Sequence, residues 1–200
     1  MVATDDKYED LALIKEALNG KKEAFGKLIE KYQTPIYNLA FRMMGNHEEA
    51  YDVTQDSFLR AYKALKSFRI EYSFFTWLYT ISLNVCRNNL KRKKIICFFS
   101  INSPPKNADD NITSMDLADN RMNPEILYEE KRKREVIQSA IMKLPDKYKS
   151  IIVERYIEGL SYEEIAKIEK LPLGTVKTQI HRARKILVGY LKKTNKMIRN

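Results

Sequence analysis

The stretch from Leu160 to Leu187 constrains the fold most, because it has the pattern of two short helices separated by a tight break. Ser161 followed three residues later by Glu164 has the spacing of a capping box, which starts a helix. Pro172 cannot continue a helix interior, and Gly174 frees the backbone just before the second helix. In that helix apolar residues recur at spacings of four, three and four, which predicts one buried stripe: Val176, Ile180, Ala183 and Leu187.

The other face of the second helix is basic. It carries Lys177, Thr178, His181, Arg182, Arg184 and Lys185, and no Asp or Glu occurs from Leu173 to the C-terminus. A run of charge is usually a solvated face, so a plain amphipathic hairpin is the alternative. The cap, the break, the stripe and the one-sided charge coincide, however, and together they favour a helix-turn-helix that places its second helix in the DNA major groove.

Composition supports a helical protein with a polyanionic partner. The 200 residues carry a formal net charge of +10, which favours nucleic acid over an anionic membrane surface. The N-terminus lacks the pattern of a signal peptide, and the longest apolar run, Ile95 to Phe99, is too short to span a bilayer. We therefore expect a cytoplasmic protein, in which Cys86 and Cys97 are buried free thiols.

No catalytic constellation is visible in the chain. The two histidines, His47 and His181, have no paired ligand, and there is no Gly-rich phosphate loop. We expect no enzymatic activity, no cofactor, no metal site and no small-molecule substrate.

The segments SYEEIA and LPLGTVKTQIHRARKIL resemble the C-terminal DNA-binding domain of bacterial RNA polymerase sigma factors, in the extracytoplasmic-function (ECF) group of the sigma-70 family. The resemblance implies that the helix from Thr175 reads the minus-thirty-five promoter element. Two departures are Glu169-Lys170-Leu171, where the family commonly has a glycine, and Thr178-Gln179, which replaces a common Ser-Arg pair. The implied DNA-binding residues are Gly174, Thr175, Lys177, Thr178, His181, Arg182 and Arg184.

A second strong pattern combines aromatic and basic residues between Phe68 and Lys94. The aromatics are Phe68, Tyr72, Phe74, Phe75, Trp77 and Tyr79, and basic residues follow from Arg87. Core packing explains any one of the rings. Aromatic faces also stack on unpaired bases, at about 1–3 kcal/mol per base, while Lys and Arg neutralise phosphates. Extruding a base costs a few kcal/mol, so the pattern suits capture of melted DNA.

The same stretch resembles the sigma segment that recognises and melts the minus-ten element. FRIEYSFFTWLY matches the loop that pockets a flipped base, and Asn84 matches a promoter-contacting polar residue. One departure is Ile70-Glu71, where the family often has Gly-Asp. The implied minus-ten residues are Phe68, Arg69, Phe74, Phe75, Trp77, Asn84, Arg87, Lys91 and Arg92.

The segment from Asn46 to Lys66 predicts a capped amphipathic helix, because Asn46 and Glu49 repeat the capping-box spacing. EEAYDVTQDSFLRAYKAL resembles the sigma segment that docks on the clamp helices of the polymerase β′ subunit. The outward-facing residues that match this surface are Asp52, Gln55, Asp56, Leu59 and Arg60.

Residues 96–127 predict a linker, since they contain Pro104-Pro105, several Asn and Ser and little periodicity. Two basic residues stand against five acidic ones between Ser100 and Glu125. A solvated tether is the default interpretation, and the resemblance implies a path through the polymerase active-centre and RNA-exit region. Helical stripes follow, namely Val136, Ile137, Ala140, Ile141 and Leu144, then Tyr148, Ile151, Ile152, Tyr156 and Ile157.

The predicted fold class is therefore all-α, with two small helical domains joined by a flexible acidic linker: a sigma region 2 domain in residues 1–95 and a region 4 helix-turn-helix domain in residues 128–200. The resemblance implies an alternative sigma factor that directs promoter recognition, melting and initiation. Its partners would be core RNA polymerase (β′ clamp helices and β flap), promoter DNA and an anti-sigma factor, often membrane-anchored. A helix-turn-helix regulator that binds duplex DNA alone, and a single-strand- or RNA-binding adaptor, remain alternatives.

Overall fold

A computed structural model describes the backbone of residues 4–99 and 124–198, and within these ranges the chain contains helices and no strand. Side chains are described for residues 7–95 and 131–192. The all-α prediction is confirmed. The helices are α1 (Thr4–Leu18), α2 (Lys22–Met44), α3 (His47–Ala64), α4 (Phe74–Phe99), α5 (Pro124–Met142), α6 (Asp146–Ile152), α7 (Tyr162–Glu169) and α8 (Leu173–Ile198), with a short 3₁₀ turn at Leu65–Ser67 and a π-helical turn at Val153–Ile157.

Helix α2 is the centre of the N-terminal half, where it packs against α1, α3 and α4. Its inward residues are fully buried, including Leu28, Ile36, Leu39 and Met43. The apolar runs before and after residue 35 belong to one helix, which continues through Pro35. It ends at Gly45, whose φ of 75° is left-handed and whose missing Cβ leaves room for the Met142 side chain of α5.

Helix α8 organises the C-terminal half by packing against α5, α6 and α7. The capping box of Ser161 and Glu164 is formed in both directions at the start of α7. The turn that follows places Lys170 in the left-handed region (φ 54°, ψ 42°), a conformation that costs about 1 kcal/mol in a residue with a Cβ. Val176, Ile180 and Ala183 are buried as the stripe predicted, so the helix-turn-helix is formed.

The apolar stripes of the C-terminal half differ from the sequence prediction at Ile137, which is 42% exposed, and after residue 152. The π-helical turn adds one residue to the repeat, since the Glu158 amide donates to the Val153 carbonyl five residues earlier. Tyr156 and Ile157 were predicted to be core residues, and this was wrong: they are 53% and 37% exposed. Glu154 takes an inward position and is fully buried.

The helices that flank the predicted linker are longer than the sequence indicated. Helix α4 runs to Phe99, and α5 begins at Pro124, a residue suited to the first helical turn because its nitrogen has no proton to leave unpaired. Residues 100–123 of the predicted linker lie outside the described residues, as does the Cys97 side chain. None of the helices in the described ranges is long and apolar enough to cross a membrane.

The two halves contact each other most extensively where α2 meets α5 and where α4 meets α7, and α6 adds polar contacts to α2 and α4. The C-terminal end of α2 accepts hydrogen bonds from the other half, from Gln138 Nε2 to the Phe41 carbonyl (3.2 Å) and from Lys149 Nζ to the Met43 carbonyl (3.4 Å). The Phe41 carbonyl also accepts from the Gly45 amide (2.8 Å), so the second half adds a further hydrogen bond there. The last carbonyls of a helix lack a partner within it, and at Met43 the second half supplies a donor.

Candidate nucleic-acid interface

The outer face of α8 presents one basic surface. The buried stripe holds the helix against α5 and α6, which leaves Lys177, Thr178, His181, Arg182 and Arg184 exposed on the opposite side. The Thr178 hydroxyl donates to the Gly174 carbonyl one turn earlier (2.9 Å). Exposed Lys and Arg on a helix that stands out from its scaffold can reach phosphates and base edges.

A second helix extends this surface. A depression of about 300 Å³ lies at the N-terminal end of α8, and α6 forms its other wall. Lys147 lies there with its Nζ 4.8 Å from the Tyr148 ring centroid. Lys147 was not predicted from the sequence, since it precedes the helix-turn-helix motif by more than ten residues. Only the packing of α6 on α8 brings it beside Gly174, Thr178 and Arg182.

The predicted minus-ten aromatics form one cluster around the start of α4. Phe68 packs edge-on against Trp77, with ring centroids 5.3 Å apart, and against Phe74 at 5.8 Å. Phe74 is buried, at 2% exposure, whereas Phe68, Phe75 and Trp77 are partly exposed. The ring of Phe74 is thus in the core and supports the others; it is not available for stacking on a base in this arrangement.

The basic residues that follow on α4 differ in their availability. Asn84, Lys91 and Arg92 are exposed. Arg87 is half-buried because its guanidinium forms an ion pair with Glu169 of α7 and donates to the Ser150 hydroxyl (3.0 Å). Arg87 is therefore the one member of the predicted minus-ten set that the described residues show bound to the C-terminal half.

The predicted polymerase-binding residues lie together on the outer face of α3. Asp52, Gln55 and Arg60 are exposed, Leu59 is 59% exposed, and Asp56 accepts a hydrogen bond from Arg60 Nε (2.9 Å). Beside this face an open groove of about 930 Å³ runs between α2 and α3. Its lining is largely apolar and includes Phe25, Ile29, Phe58, Leu59 and Tyr62. The surface thus combines charge with exposed apolar area, as protein-binding surfaces do.

No metal or thiol chemistry emerges among the described side chains. No group of three or more His, Cys, Asp or Glu residues in that part of the chain is placed to hold a metal ion. Cys86 is a buried free thiol, as predicted, and burial raises its pKa to about 12, so it is protonated at neutral pH.

Comparison with known proteins accounts for both halves. Residues 28–95 match the family model of sigma-70 region 2, and residues 134–187 match that of sigma-70 region 4. The chain is 37% identical over 188 residues to the ECF RNA polymerase sigma factor SigW of Bacillus subtilis (strain 168), covering 87% of this chain and 92% of the relative. It is 33% identical over 187 residues to the RNA polymerase sigma-H factor of Pseudomonas aeruginosa, covering 90% and 92%.

Solved structures show the same fold. CnrH, in its complex with the cytosolic domain of CnrY, matches with a TM-score of 0.64 at 24% identity, over 92% of this chain and 98% of that one. The sigma factor RpoE of Bartonella quintana, in complex with the anti-sigma factor NepR, matches with a TM-score of 0.65 at 21% identity, over 84% and 96%.

The fold and the two family matches define a two-domain helical transcription initiation factor of bacterial type. The chain belongs to the sigma-70 family of RNA polymerase sigma factors, in its ECF group. Factors of this kind act with core RNA polymerase to recognise promoters and begin transcription, and the regulator and adaptor alternatives are set aside.

Proposed function

We propose that the two halves divide the work of initiation between them. Residues 1–95 would bind core polymerase and capture the opened minus-ten strand, and residues 128–200 would place α8 in the major groove of the minus-thirty-five element. One observation carries this division: an aromatic-basic surface and a basic recognition helix lie on different helical units of one chain. The first suits unpaired bases and the second suits duplex DNA.

At the minus-thirty-five element, Lys177 and Arg182 would contact guanine edges or phosphates, and Thr178 a base or the backbone. His181 lies exposed on the same face. Lys147 adds a cation beside the N-terminal end of α8, where the Gly174 amide would donate a hydrogen bond to a phosphate. The Thr175 amide donates to the Pro172 carbonyl (2.9 Å) and would turn to the phosphate only by giving up that bond. Phosphate contacts from two helices would fix the angle at which α8 enters the groove.

At the minus-ten element, the partly exposed rings of Phe68, Phe75 and Trp77 would hold the extruded base, with Arg69 beside them. Phe74 would act from the core by fixing the position of Phe68 and Trp77. Asn84, Lys91 and Arg92 on the exposed side of α4 would follow the strand backbone. Arg87 would join them once it is released from Glu169.

The face of α3 formed by Asp52, Gln55, Asp56, Leu59 and Arg60 would dock on the β′ clamp helices, and the C-terminal half would approach the β flap. The factor would contribute binding alone, without enzymatic activity, and would work in the cytoplasm, where the polymerase is. Two structural neighbours were solved in complex with a partner protein, and one of these partners is named as an anti-sigma factor. We propose that an inhibitory protein of this kind also binds this chain.

The test compares binding to duplex promoter DNA with and without core polymerase. The proposal predicts weak binding by the factor alone and stable, salt-resistant complexes once polymerase is added. A template already melted around the minus-ten element should bypass the need for the aromatic cluster. Tight sequence-specific binding to duplex DNA by the factor alone, unchanged by polymerase, would instead favour a conventional regulator.

A further inference from the structure

The contact between the two halves buries a set of polar groups that packing alone does not explain. Glu154 is fully buried, and neither of its carboxyl oxygens has a hydrogen-bond donor among the described residues. The hydroxyl of Tyr79, on α4 of the other half, is also buried and also lacks a partner there. Orphaned buried groups of this kind are rare, because a buried polar atom without a partner loses its bonds to water and gains none in return.

Glu154 faces a second carboxyl group, that of Glu169. Glu169 accepts hydrogen bonds from Arg87 of α4 and from the Ser150 hydroxyl (3.0 Å). Two carboxylates side by side repel each other, and neither can donate. A single proton on Glu154 converts the contact into a hydrogen bond to Glu169, which removes the repulsion and satisfies the orphaned carboxyl group.

We propose that Glu154 and Glu169 share a proton at the boundary between the two halves, so that closing the halves takes up one proton and opening them releases it. The π-helical turn at Val153–Ile157 makes this possible, because it rotates Glu154 inward where a regular helix would continue the apolar stripe. Such turns recur at functional positions.

The surroundings of Glu154 agree with a neutral acid. From α7 it faces Glu169, and from α4 it faces Arg87 and Tyr79. The Cys86 thiol lies near Arg87 and Tyr79. Burial first, and the neighbouring Glu169 second, raise the pKa of Glu154 to about 10, against the opposing effect of Arg87.

Further charged groups lie around this site. Lys149 of α6 interacts with Cys86. Burial also raises the pKa of Glu158, in the same segment, although Arg42 of α2 opposes that rise.

The sign of the pH dependence follows from these directions. In the open form Glu154 meets water and has an ordinary pKa near 4.5, whereas in the closed form its pKa is about 10. Between these values the closed form holds a proton that the open form lacks. Closure is therefore favoured at low pH and weakens as pH rises through this window, by up to tenfold in the closed-to-open ratio per pH unit for one proton.

The proton shared by Glu154 and Glu169 also affects promoter binding, and this step rests on the proposed function. Arg87 belongs to the predicted minus-ten set, and in the closed form Glu169 occupies its guanidinium. Opening separates α4 from α7, which breaks the ion pair between Arg87 and Glu169 and returns Arg87 to the DNA-binding face of α4.

The test measures the distance between the halves in the full chain, without DNA or polymerase, so it does not depend on the proposed function. Dyes are placed at Lys63→Cys on α3 and Lys185→Cys on α8, two exposed positions, in a Cys97→Ser background that keeps the buried Cys86. Energy transfer then gives the closed-to-open ratio from pH 5.5 to 8.5 at constant ionic strength. If the protein is almost fully closed at every pH, an added Asp146→Asn removes the exposed ion pair with Lys94 and raises the open fraction to a level that can be measured.

The proposal predicts that the ratio falls steeply with rising pH and that Glu154→Gln flattens this dependence while the halves still close. Glutamine keeps a donor for Glu169 but cannot ionise. Glu163→Gln, an exposed change in the same half, should leave the slope unchanged. An equal slope in wild type and Glu154→Gln, or a ratio that is independent of pH in the Asp146→Asn background, would overturn the proposal.

Discussion

Lys149 of α6 donates from its Nζ to the main-chain carbonyl of Met43 at the end of α2, 3.4 Å away and 106 residues earlier in the chain. The lysine is buried, at 3% exposure, and burial lowers its pKa. A cation at a helix C-terminus interacts favourably with the helix dipole, which offsets part of the cost of taking the charge out of water. The contact ties the N-terminal half to the helix-turn-helix half.

Replacing Lys149 by alanine should weaken the packing of the two halves. The change removes a hydrogen bond to a buried carbonyl and leaves a cavity, at a cost of about 1–3 kcal/mol. Energy transfer between dyes on α3 and α8 reports the loss as a larger open fraction. Lys167→Ala, an exposed lysine of the same half, is the matched control and should leave the open fraction unchanged.

The left-handed residue in the helix-turn-helix offers a gain in stability. Lys170→Gly should stabilise the protein by about 1 kcal/mol, because glycine adopts a φ of 54° without the Cβ penalty. Urea unfolding measures the change. Lys167→Gly, inside α7, should destabilise by about 1 kcal/mol; a loss of stability in both variants would show that Lys170 carries no backbone strain.

Trp77→Ala should impair strand opening more than initial duplex binding, because the indole packs beside the exposed ring of Phe68 at the surface proposed to capture a base. Fluorescence of 2-aminopurine in the minus-ten element follows opening, and a pre-melted template should restore most of the lost activity. Asn84→Ala should show the same separation in smaller measure. Equal loss in both steps, with no rescue on the pre-melted template, would indicate misfolding instead.

The double change of Lys177 and Arg182 to alanine should abolish dependence on the minus-thirty-five sequence. If both side chains neutralise phosphates, the slope of log affinity against log salt should fall by about 1.8, from the loss of two contacts. Lys185→Ala, exposed on the same helix but outside the proposed contact set, is the control. If sequence-specific transcription survives the double change, another face of the protein must contact the minus-thirty-five element.

Leu59→Asp should weaken binding of core polymerase at least tenfold, because it places a charge at the centre of the exposed apolar area on α3. Stability should change little, since the side chain is exposed. Competition for core polymerase against the wild-type factor measures the effect. Lys63→Ala on the same helix should compete as well as wild type, and a variant Leu59→Asp that does so too would remove α3 from the interface.

Local patterns were enough to predict the helical class, the helix-turn-helix and the α3 cap. The hydrogen bond from the Glu49 amide to Asn46 and the capping box at Ser161 each join residues three apart. Such short spacings can be recognised directly in the sequence. Resemblance, not physics, supplied the promoter and polymerase roles, because exposed Lys, Arg and Asp look alike on any solvated face.

The boundary between the two halves could not be read from periodicity. Gln138, Lys149 and Glu154 are buried there although their side chains are polar, because their partners come from distant segments of the chain. The π-helical turn shifted Glu154 inward, and the repeat of 3.6 residues wrongly assigned Tyr156 to the core in its place. Phe74 shows the same limit, since spacing does not say which ring of an aromatic cluster is innermost.

The most direct test of the account is transcription in vitro by bacterial core RNA polymerase on sheared genomic DNA, with and without this protein. If the protein acts as a sigma factor, we expect discrete new transcripts whose start sites share two upstream elements. These transcripts should disappear with Leu59→Asp and with the Lys177 and Arg182 double change. No new transcripts, together with stable duplex binding by the protein alone, would contradict it.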